Sequence, residues 1–127
     1  MKSISRGDIW LVDFNPSVGT EIQKVRPAVV VQVDGLSKLS STIVVPITGW
    51  RSHFTSNVWM YYLPPTAQNG LEKESCVDTL QIKSIDNSRF RNYMGSLNAE
   101  DMDEIAATIA YCVGYSEEAR TAPASDP

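Results

Sequence analysis

An arginine and a proline open one apolar stretch, "RPAVVVQV" at residues 26–33, and a threonine closes another, "TIVVPIT" at residues 42–48. Proline has no backbone N–H to donate, so Pro27 must open its strand or lie on a sheet edge. Arg26 then lies at the mouth of the preceding loop. Because arginine stays protonated and offers a planar set of donors, it suits a phosphate ligand better than the role of general base.

Two loops adjoin these strand ends and carry further polar candidates. The loop of residues 15–25 is long enough to suggest a function, and the segment of residues 49–56 is polar and mixed. The polar candidates on the two loops are Glu21, Gln23, Lys24, Arg51 and His53. His53 is the only histidine. Without an identified partner, we interpret it as a solvated side chain rather than an acid-base catalyst.

Ordinary structural roles compete with each functional interpretation. Arg26 could form an ion pair with Glu21 or Asp13 at a barrel rim. Thr48 could cap local backbone at the end of its strand. Aromatic residues in and near the apolar segment of residues 57–63 suit base stacking, but they also suit a core or a dimer surface. These aromatic residues are Trp50, Trp59, Tyr61 and Tyr62.

Most enzyme classes that use cofactors or covalent nucleophiles lack their sequence signatures here. The chain has no Walker loop, dinucleotide glycine pattern, zinc-ligand spacing or nucleophile elbow. Cys76 and Cys112 are too far apart for a metal or redox motif, and we interpret both as small buried hydrophobic residues. We therefore expect neither a metal nor another cofactor.

Length, composition and charge indicate one ordinary globular domain. The chain has 127 residues, of which 43% are hydrophobic and 20% charged. Its net charge of -4 is unevenly spread: residues 1–99 hold ten Lys/Arg and eight Asp/Glu, whereas residues 100–127 hold one Arg and seven acids. A positive cleft on the first part is therefore possible. No apolar segment has the length of a signal peptide or membrane span, so we expect a cytoplasmic protein with no membrane association.

The patterning predicts strands with a closing helix. The helix begins at Asn98, and Met102, Ile105, Ile109 and Val113 form an apolar stripe for a core or an interface. We expect a barrel domain over residues 1–115 and a disordered acidic tail over residues 116–127. The predicted strands cover residues 8–14, 28–33, 42–48, 57–63, 75–85 and 91–97.

Several strings together resemble one protein family. They are "RGDIWLVDFNPSVGTEIQKVRPAVVVQ", "VVPIT", "QIKSID" and the helix that follows "GSL", and they occur in order from Arg6 to Tyr115. This arrangement is similar to the MazF/PemK (Kid) family of toxin endoribonucleases from toxin-antitoxin modules. The first string contains three elements, which are R-G-D-I, a P-x-x-G-x-E loop and R-P followed by valines. Any one of them alone is a weak signal, whereas the three together at this spacing are specific.

The resemblance implies a mainly β fold with one C-terminal helix, an α+β SH3-like barrel of the Kid/CcdB/MazF type. It implies a homodimer whose groove binds single-stranded RNA, and a MazE-like antitoxin that occupies the same groove. It also implies metal-independent cleavage at a short RNA sequence, which leaves a 2',3'-cyclic phosphate or 3'-phosphate and a 5'-hydroxyl. No DNA binding is expected of the toxin alone.

The same resemblance assigns roles to individual residues. Arg26 of "VRP" and Thr48 of "PIT" match the catalytic arginine and threonine, and Glu21 and Gln81 match groove positions. Many relatives have an acid directly before this glutamine, and the Kid branch has an arginine two positions earlier. Here those positions hold Leu80 and Asp78. The remaining RNA-binding candidates are Thr20, Gln23, Lys24, Gly49, Arg51, His53 and Asp78.

Two other functions remain open on the same fold. The absence of the Kid-type Arg/Asp pair and the acidic composition suit a catalytically silent barrel that binds RNA or an antitoxin. A CcdB-like gyrase inhibitor is the second alternative. Cleavage of RNA distinguishes the enzyme from both of them.

Overall fold

The computed structural model describes residues 2–117, which fold into one mixed-length antiparallel sheet and a closing helix. The tail predicted for residues 116–127 lies outside the described residues from residue 118 onward. The strands are β1 (Asp8–Asp13), β2 (Val25–Val30), β3 (Ser41–Gly49), β4 (Met60–Leu63), β5 (Ser75–Asp78), β6 (Lys83–Asp86) and β7 (Phe90–Ser96), and the helix is α1 (Ala99–Cys112).

Strand β3 organises the sheet, because it pairs with three other strands. The strand order is β4-β5-β3-β2-β1-β7, and β6 also pairs with β3. Strand β6 lies along residues 41–44, β2 along residues 44–46 and β5 along residues 47–49. Every pairing is antiparallel. The sheet therefore bends around β3, as the barrel prediction requires.

The sheet is covered on both faces, which explains the unbroken apolar runs of its central strands. Ile9 and Val29 belong to one buried cluster, which α1 closes with Met102 and Ile105. Their neighbours Trp10, Val12, Ala28 and Val30 belong to a second cluster, together with Val44, Ile85 and Phe90. Because successive side chains of a strand point to opposite faces, each run supplies both clusters.

Helix α1 begins as its sequence predicts, but its apolar stripe is shorter. The side chain of Asn98 accepts a hydrogen bond from the backbone N–H of Asp101 at 2.8 Å, which caps the helix. Met102 and Ile105 are buried, and Ile109 packs partly against the same core. Val113 lies beyond the helix end and is 75% exposed, so it does not belong to the core.

Other differences from the predicted elements have local causes. The strand predicted for residues 28–33 ends at Val30, because the buried Gln32 side chain accepts from the N–H of Ile43 and donates to the carbonyl of Leu36. The strand predicted for residues 75–85 is two strands, β5 and β6, separated by a 3-10 turn at Thr79–Gln81.

The remaining corrections concern single boundaries and one cysteine. The fourth strand begins at Met60 rather than at residue 57, and the last strand, β7, begins at Phe90 rather than at residue 91. Cys76 is buried as predicted, whereas Cys112 is exposed at the end of α1, so its interpretation as a buried residue is wrong. Within residues 2–117, no helix combines the length and apolar character needed to cross a membrane.

Candidate functional site

Arg26 and Thr48 meet because β2 and β3 pair in register. Ala28 lies opposite Pro46 in this ladder, and the same antiparallel register carried two residues further places residue 26 opposite residue 48. Arg26 Nη1 lies 3.5 Å from Thr48 Oγ1. This contact is long for a hydrogen bond, so both groups retain donor capacity for a third group between them.

The loop before β2 fixes the direction of the Arg26 side chain. Its Nε donates to the carbonyl of Gln23 at 2.9 Å. The alternative in which Arg26 forms an ion pair with Glu21 or Asp13 is wrong. Glu21 instead lies 3.6 Å from Lys83, and Asp13 lies 3.2 Å from Arg91. The guanidinium is therefore positioned by a neutral carbonyl and keeps its full charge for a ligand.

Two open cavities flank the Arg26–Thr48 contact, with volumes of about 280 Å³ and about 390 Å³. Arg26, Thr48, Gly49 and Lys73 line both of them. The first cavity is completed by Lys24, Val25, Pro27, Ile47 and Ser75. The second is completed by Trp50, Arg51 and Glu74. We call the second one the Trp50 cavity.

Lys73 and Glu74 are residues of the cavity lining that sequence reasoning missed. They lie just before β5, and the pairing of Gly49 with Ser75 brings this segment against the end of β3. Gly49 makes room for Lys73, since a Cβ at Gly49 would lie 3.3 Å from Lys73 Nζ. No local motif identifies either residue, because their position depends on a pairing between strands that are not consecutive in the sequence.

The lining of the two cavities is cationic although the chain as a whole is acidic. Lys24, Arg26, Arg51 and Lys73 contribute positive charge, and Glu74 is the one carboxylate among the lining residues. These residues all lie within residues 1–99, the part of the chain whose charge balance permits a positive cleft. Such a cluster attracts a polyanion and concentrates it at the Arg26–Thr48 contact.

The backbone of the loop before β2 is held in an unusual conformation. Lys24 has φ of 72°, in the left-handed region that a lysine rarely adopts. The N–H of Lys24 donates to Asn15 Oδ1 at 2.9 Å, and its carbonyl accepts from the N–H of Phe14 at 3.0 Å. Arg89 also donates to the carbonyls of Asp13 and Asn15. These bonds hold the loop closed beside Arg26.

A second group of predicted residues braces the loop but lines neither cavity. Gln81 Oε1 accepts from the N–H of Ile22 at 3.2 Å, and Gln81 Nε2 donates to the carbonyl of Thr20 at 3.3 Å. Glu21 Oε1 accepts from the N–H of Val18 at 2.9 Å. In this structure, Thr20, Glu21 and Gln81 therefore shape the loop rather than the Arg26–Thr48 cavities.

Asp78 and His53 also lie outside the two cavities. Burial raises the pKa of the Asp78 carboxyl, whereas a backbone hydrogen bond from Leu80 opposes this rise. Its Oδ1 is the one buried side-chain oxygen or nitrogen without a hydrogen-bond partner in the described part of the chain. His53 lies in a 3-10 turn with its ring 4.5 Å from that of Phe54.

The aromatic residues divide between the core and the site. Tyr61 packs against the first core cluster and donates to Asp101 at 2.6 Å, which ties β4 to α1. Tyr62 is exposed on the opposite face, where its ring centroid lies 5.0 Å from that of Trp50. Tyr62 Oη donates to Glu74 at 2.6 Å, and this bond raises the pKa of Tyr62.

The chain matches one known protein family. A family model described as PemK-like, MazF-like toxin of type II toxin-antitoxin system matches residues 5–113. The chain belongs to this family. Its resemblance to MazF/PemK toxins is therefore confirmed over nearly the same span that the sequence motifs indicated.

A curated relative agrees with this membership. The Endoribonuclease MazF of Staphylococcus saprophyticus is 28% identical over 109 residues, which cover 86% of this chain and 90% of the relative. The match therefore extends over most of both chains rather than over a single motif.

Solved structures of family members share the fold. The crystal structure of MazF from Deinococcus radiodurans matches with a TM-score of 0.76 at 18% identity, over 91% of this chain and 100% of that one. An endoribonuclease in complex with its cognate antitoxin, from a mycobacterial species, matches with a TM-score of 0.71 at 16% identity, over 89% and 97% of the two chains. The predicted fold class, mainly β with one C-terminal helix in the MazF-type barrel, is confirmed.

Proposed function

We propose that this chain is a toxin endoribonuclease that cleaves single-stranded RNA at a phosphodiester bound between Arg26 and Thr48. The observation that carries the proposal is the convergence of these two side chains on open cavities lined by three further cations, Lys24, Arg51 and Lys73. Family membership and the curated MazF relative, which is named an endoribonuclease, support the same activity.

The reaction uses the nucleophile that RNA itself carries. The ribose 2'-oxygen attacks the adjacent phosphorus and releases its proton to solvent water, while the bond from phosphorus to the 5'-oxygen breaks and that oxygen takes up a proton from water. The products are a 2',3'-cyclic phosphate, which water opens to a 3'-phosphate, and a 5'-hydroxyl. Alignment of the two oxygens and stabilisation of the developing charge are the main demands on the protein.

Arg26 and Thr48 meet these demands in different ways. The two Nη groups of Arg26 donate to phosphate oxygens and assist the departing 5'-oxygen, since Nε is already bonded to Gln23. Thr48 donates its hydroxyl to a non-bridging oxygen of the same phosphate. Neither residue is a general base. We propose that cleavage is metal-independent, because the cationic side chains supply the positive charge that the transition state requires.

The partners follow from the same site and from the family. We propose a homodimer that binds single-stranded RNA and is neutralised by a cognate MazE-like antitoxin. One structural relative is described with its cognate antitoxin, and others are MazE-MazF complexes of Deinococcus radiodurans. The cationic lining suits either an RNA strand or an acidic antitoxin segment. We propose a cytoplasmic location, where both partners occur, and no role for DNA with the toxin alone.

An RNA cleavage assay tests the function. Purified protein is incubated with a long, poorly structured RNA in EDTA, and the new 5' ends are mapped. Discrete cuts with 5'-hydroxyl ends are expected, and Arg26→Ala and Thr48→Ala are each expected to remove them. Lys38→Ala is the matched control, since Lys38 lines neither cavity, and it is expected to cut at the same positions. Intact RNA that remains bound by folded protein would instead identify a silent barrel.

A further inference from the structure

One face of the sheet carries both the Arg26–Thr48 contact and the Trp50 cavity. Thr48 pairs with Cys76, and Cys76 also pairs with Tyr62 on β4. The N–H of Trp50 donates to the carbonyl of Glu74 at 3.0 Å, which extends the β3–β5 pairing beyond its last ladder residues. Since side chains alternate along strands, Trp50, Glu74 and Tyr62 share a face with Thr48.

Trp50 is held as a fixed wall of this cavity. Its ring lies 5.0 Å from Tyr62 and 6.0 Å from Phe54 between centroids, with interplanar angles of 71° and 80°. Both neighbours therefore contact the indole edge to face, an arrangement that aromatic pairs prefer. Trp50 also lines the cavity of about 390 Å³ that it shares with Arg26 and Thr48. A nucleobase attached to a phosphate at Arg26 can stack on such a wall.

Glu74 supplies the one hydrogen-bond acceptor with a negative charge in this cavity. Tyr62 Oη donates to Glu74 Oε1 at 2.6 Å, which orients the carboxylate. Arg51 and Lys73 stand beside it in the lining and present donors. A base that fits this set offers donors toward Glu74 and acceptors toward the two cations.

Guanine is the base whose edges match this combination. Its N1–H and N2 amine form two adjacent donors for one carboxylate, whereas its O6 and N7 form two adjacent acceptors for arginine or lysine. Adenine and cytosine each present one exocyclic amine beside an acceptor, and uracil presents one N–H between two carbonyls. A carboxylate faces an acceptor lone pair if any of these three bases occupies the cavity.

We propose that the Trp50 cavity is a guanine subsite, in which the base next to the scissile phosphate stacks on Trp50 and donates from N1 and N2 to Glu74. This inference rests on the proposed ribonuclease function, because that function places the phosphate at Arg26 and Thr48. It adds a specific role for Glu74 and predicts that guanine flanks the cut.

Binding of nucleoside monophosphates tests the subsite without requiring cleavage. The probes are 3'-GMP, 5'-GMP and the corresponding AMP, CMP, UMP and IMP, titrated by calorimetry against wild-type protein. At least one GMP isomer is expected to bind about fivefold or more tightly than its IMP, AMP, CMP and UMP counterparts, since a matched pair of hydrogen bonds discriminates bases by about 5- to 150-fold. IMP is the sharpest comparison, because it lacks only the N2 amine.

Two variants connect the preference to named side chains. Glu74→Gln is expected to abolish the advantage of GMP over IMP, while the matched control Glu72→Gln, which changes an acid outside the cavity, is expected to retain it. Trp50→Leu is expected to weaken binding of all the monophosphates to a similar extent. Melting temperatures establish that each variant is folded.

Mapped cut sites complete the test and separate the two proposals. Guanine adjacent to every cut, with this requirement relaxed in Glu74→Gln, is the expected result. If RNA stays intact but GMP binds selectively through Glu74, the nuclease proposal fails and the subsite stands. If RNA is cut without a shared guanine and GMP binds no better than IMP, the subsite is overturned and the nuclease stands. Equal GMP preference in Glu74→Gln and wild type also overturns the subsite.

Discussion

Arg26 is anchored by Gln23, because its Nε donates to the Gln23 carbonyl at 2.9 Å across the turn that leads into β2. Lysine retains the charge at this position but has no second donor in a fixed plane. Arg26→Lys is therefore expected to lower kcat by about 100-fold, a loss typical of one removed transition-state donor, with a smaller change in KM. Single-turnover cleavage of a short RNA containing a mapped site measures this. A kcat within threefold of wild type would contradict the proposed donor geometry.

Lys73 is expected to contribute affinity rather than chemistry. It lines both cavities and lies over Gly49, so it can neutralise a phosphate beside the reactive one. Lys73→Ala is expected to weaken binding of an RNA made uncleavable by a single 2'-deoxy substitution at the scissile position, and to reduce the slope of log K against log salt by about 0.7. Lys38→Ala removes a cation from outside the cavities and serves as the control. Equal slopes in the two variants would exclude a phosphate contact by Lys73.

The native Asp78 carboxylate is expected to destabilise the folded protein at neutral pH, because its buried Oδ1 has no hydrogen-bond partner within residues 2–117. Burial raises its pKa above the ordinary 3.8, so the folded protein binds the proton more tightly than the unfolded chain does. Its contribution is therefore most favourable below pH 3.8 and is lost as pH rises through the folded-state pKa. Asp78→Asn is expected to increase the free energy of unfolding at pH 7 by about 1 kcal/mol.

Denaturant unfolding at pH 7 and pH 3 measures this pH dependence. The gain from Asp78→Asn is expected to shrink at pH 3. Asp86→Asn provides a comparison of opposite sign, because hydrogen bonds from Ser88 lower the pKa of Asp86. Its replacement is expected to reduce stability more at pH 7 than at pH 3. An Asp78→Asn variant that is less stable than wild type at pH 7 would show that the carboxylate has a favourable partner.

Gly95 is expected to tolerate no side chain. A Cβ at this position in β7 would lie 2.3 Å from the carbonyl oxygen of Gln68 and 2.6 Å from the carbonyl carbon of Asn69. Both are backbone atoms and cannot turn away, so Gly95→Ala is expected to cost about 2–3 kcal/mol of stability. Gly35→Ala is the control, since nothing lies within 4 Å of its added Cβ. Urea unfolding compares the two, and equal midpoints would contradict the predicted clash.

Most of the sheet could be predicted because its signals are local. Runs such as those of β1 and β2 are apolar on both faces, and Asn98 caps α1 with its own side chain. The break between β5 and β6 was missed, because residues 75–85 keep β-forming residues through the turn at Thr79–Gln81. That turn becomes visible only when β5 and β6 are seen to pair with different parts of β3.

The site could be predicted only in part for the same reason. Arg26 and Thr48 stand beside Pro27 and a strand end, features that a linear sequence displays. Lys73 and Glu74 reach the site through a pairing that joins residues 49 and 75. From the sequence alone, both residues are predicted to lie in a polar loop. Conversely, Thr20 and Gln81 look like ligand groups in the sequence, but the side-chain amide of Gln81 donates to the backbone carbonyl of Thr20 instead.

The amide of Gln81 has a thermodynamic consequence for the segment it braces. Its two bonds to residues 20 and 22 hold a connection that ends directly beside Arg26. Because this segment is already ordered when the barrel folds, RNA binding causes little further loss of its conformational entropy. The neutral Gln81 side chain, which is distant in the sequence, thus helps to preorganise the Arg26 guanidinium before any RNA binds.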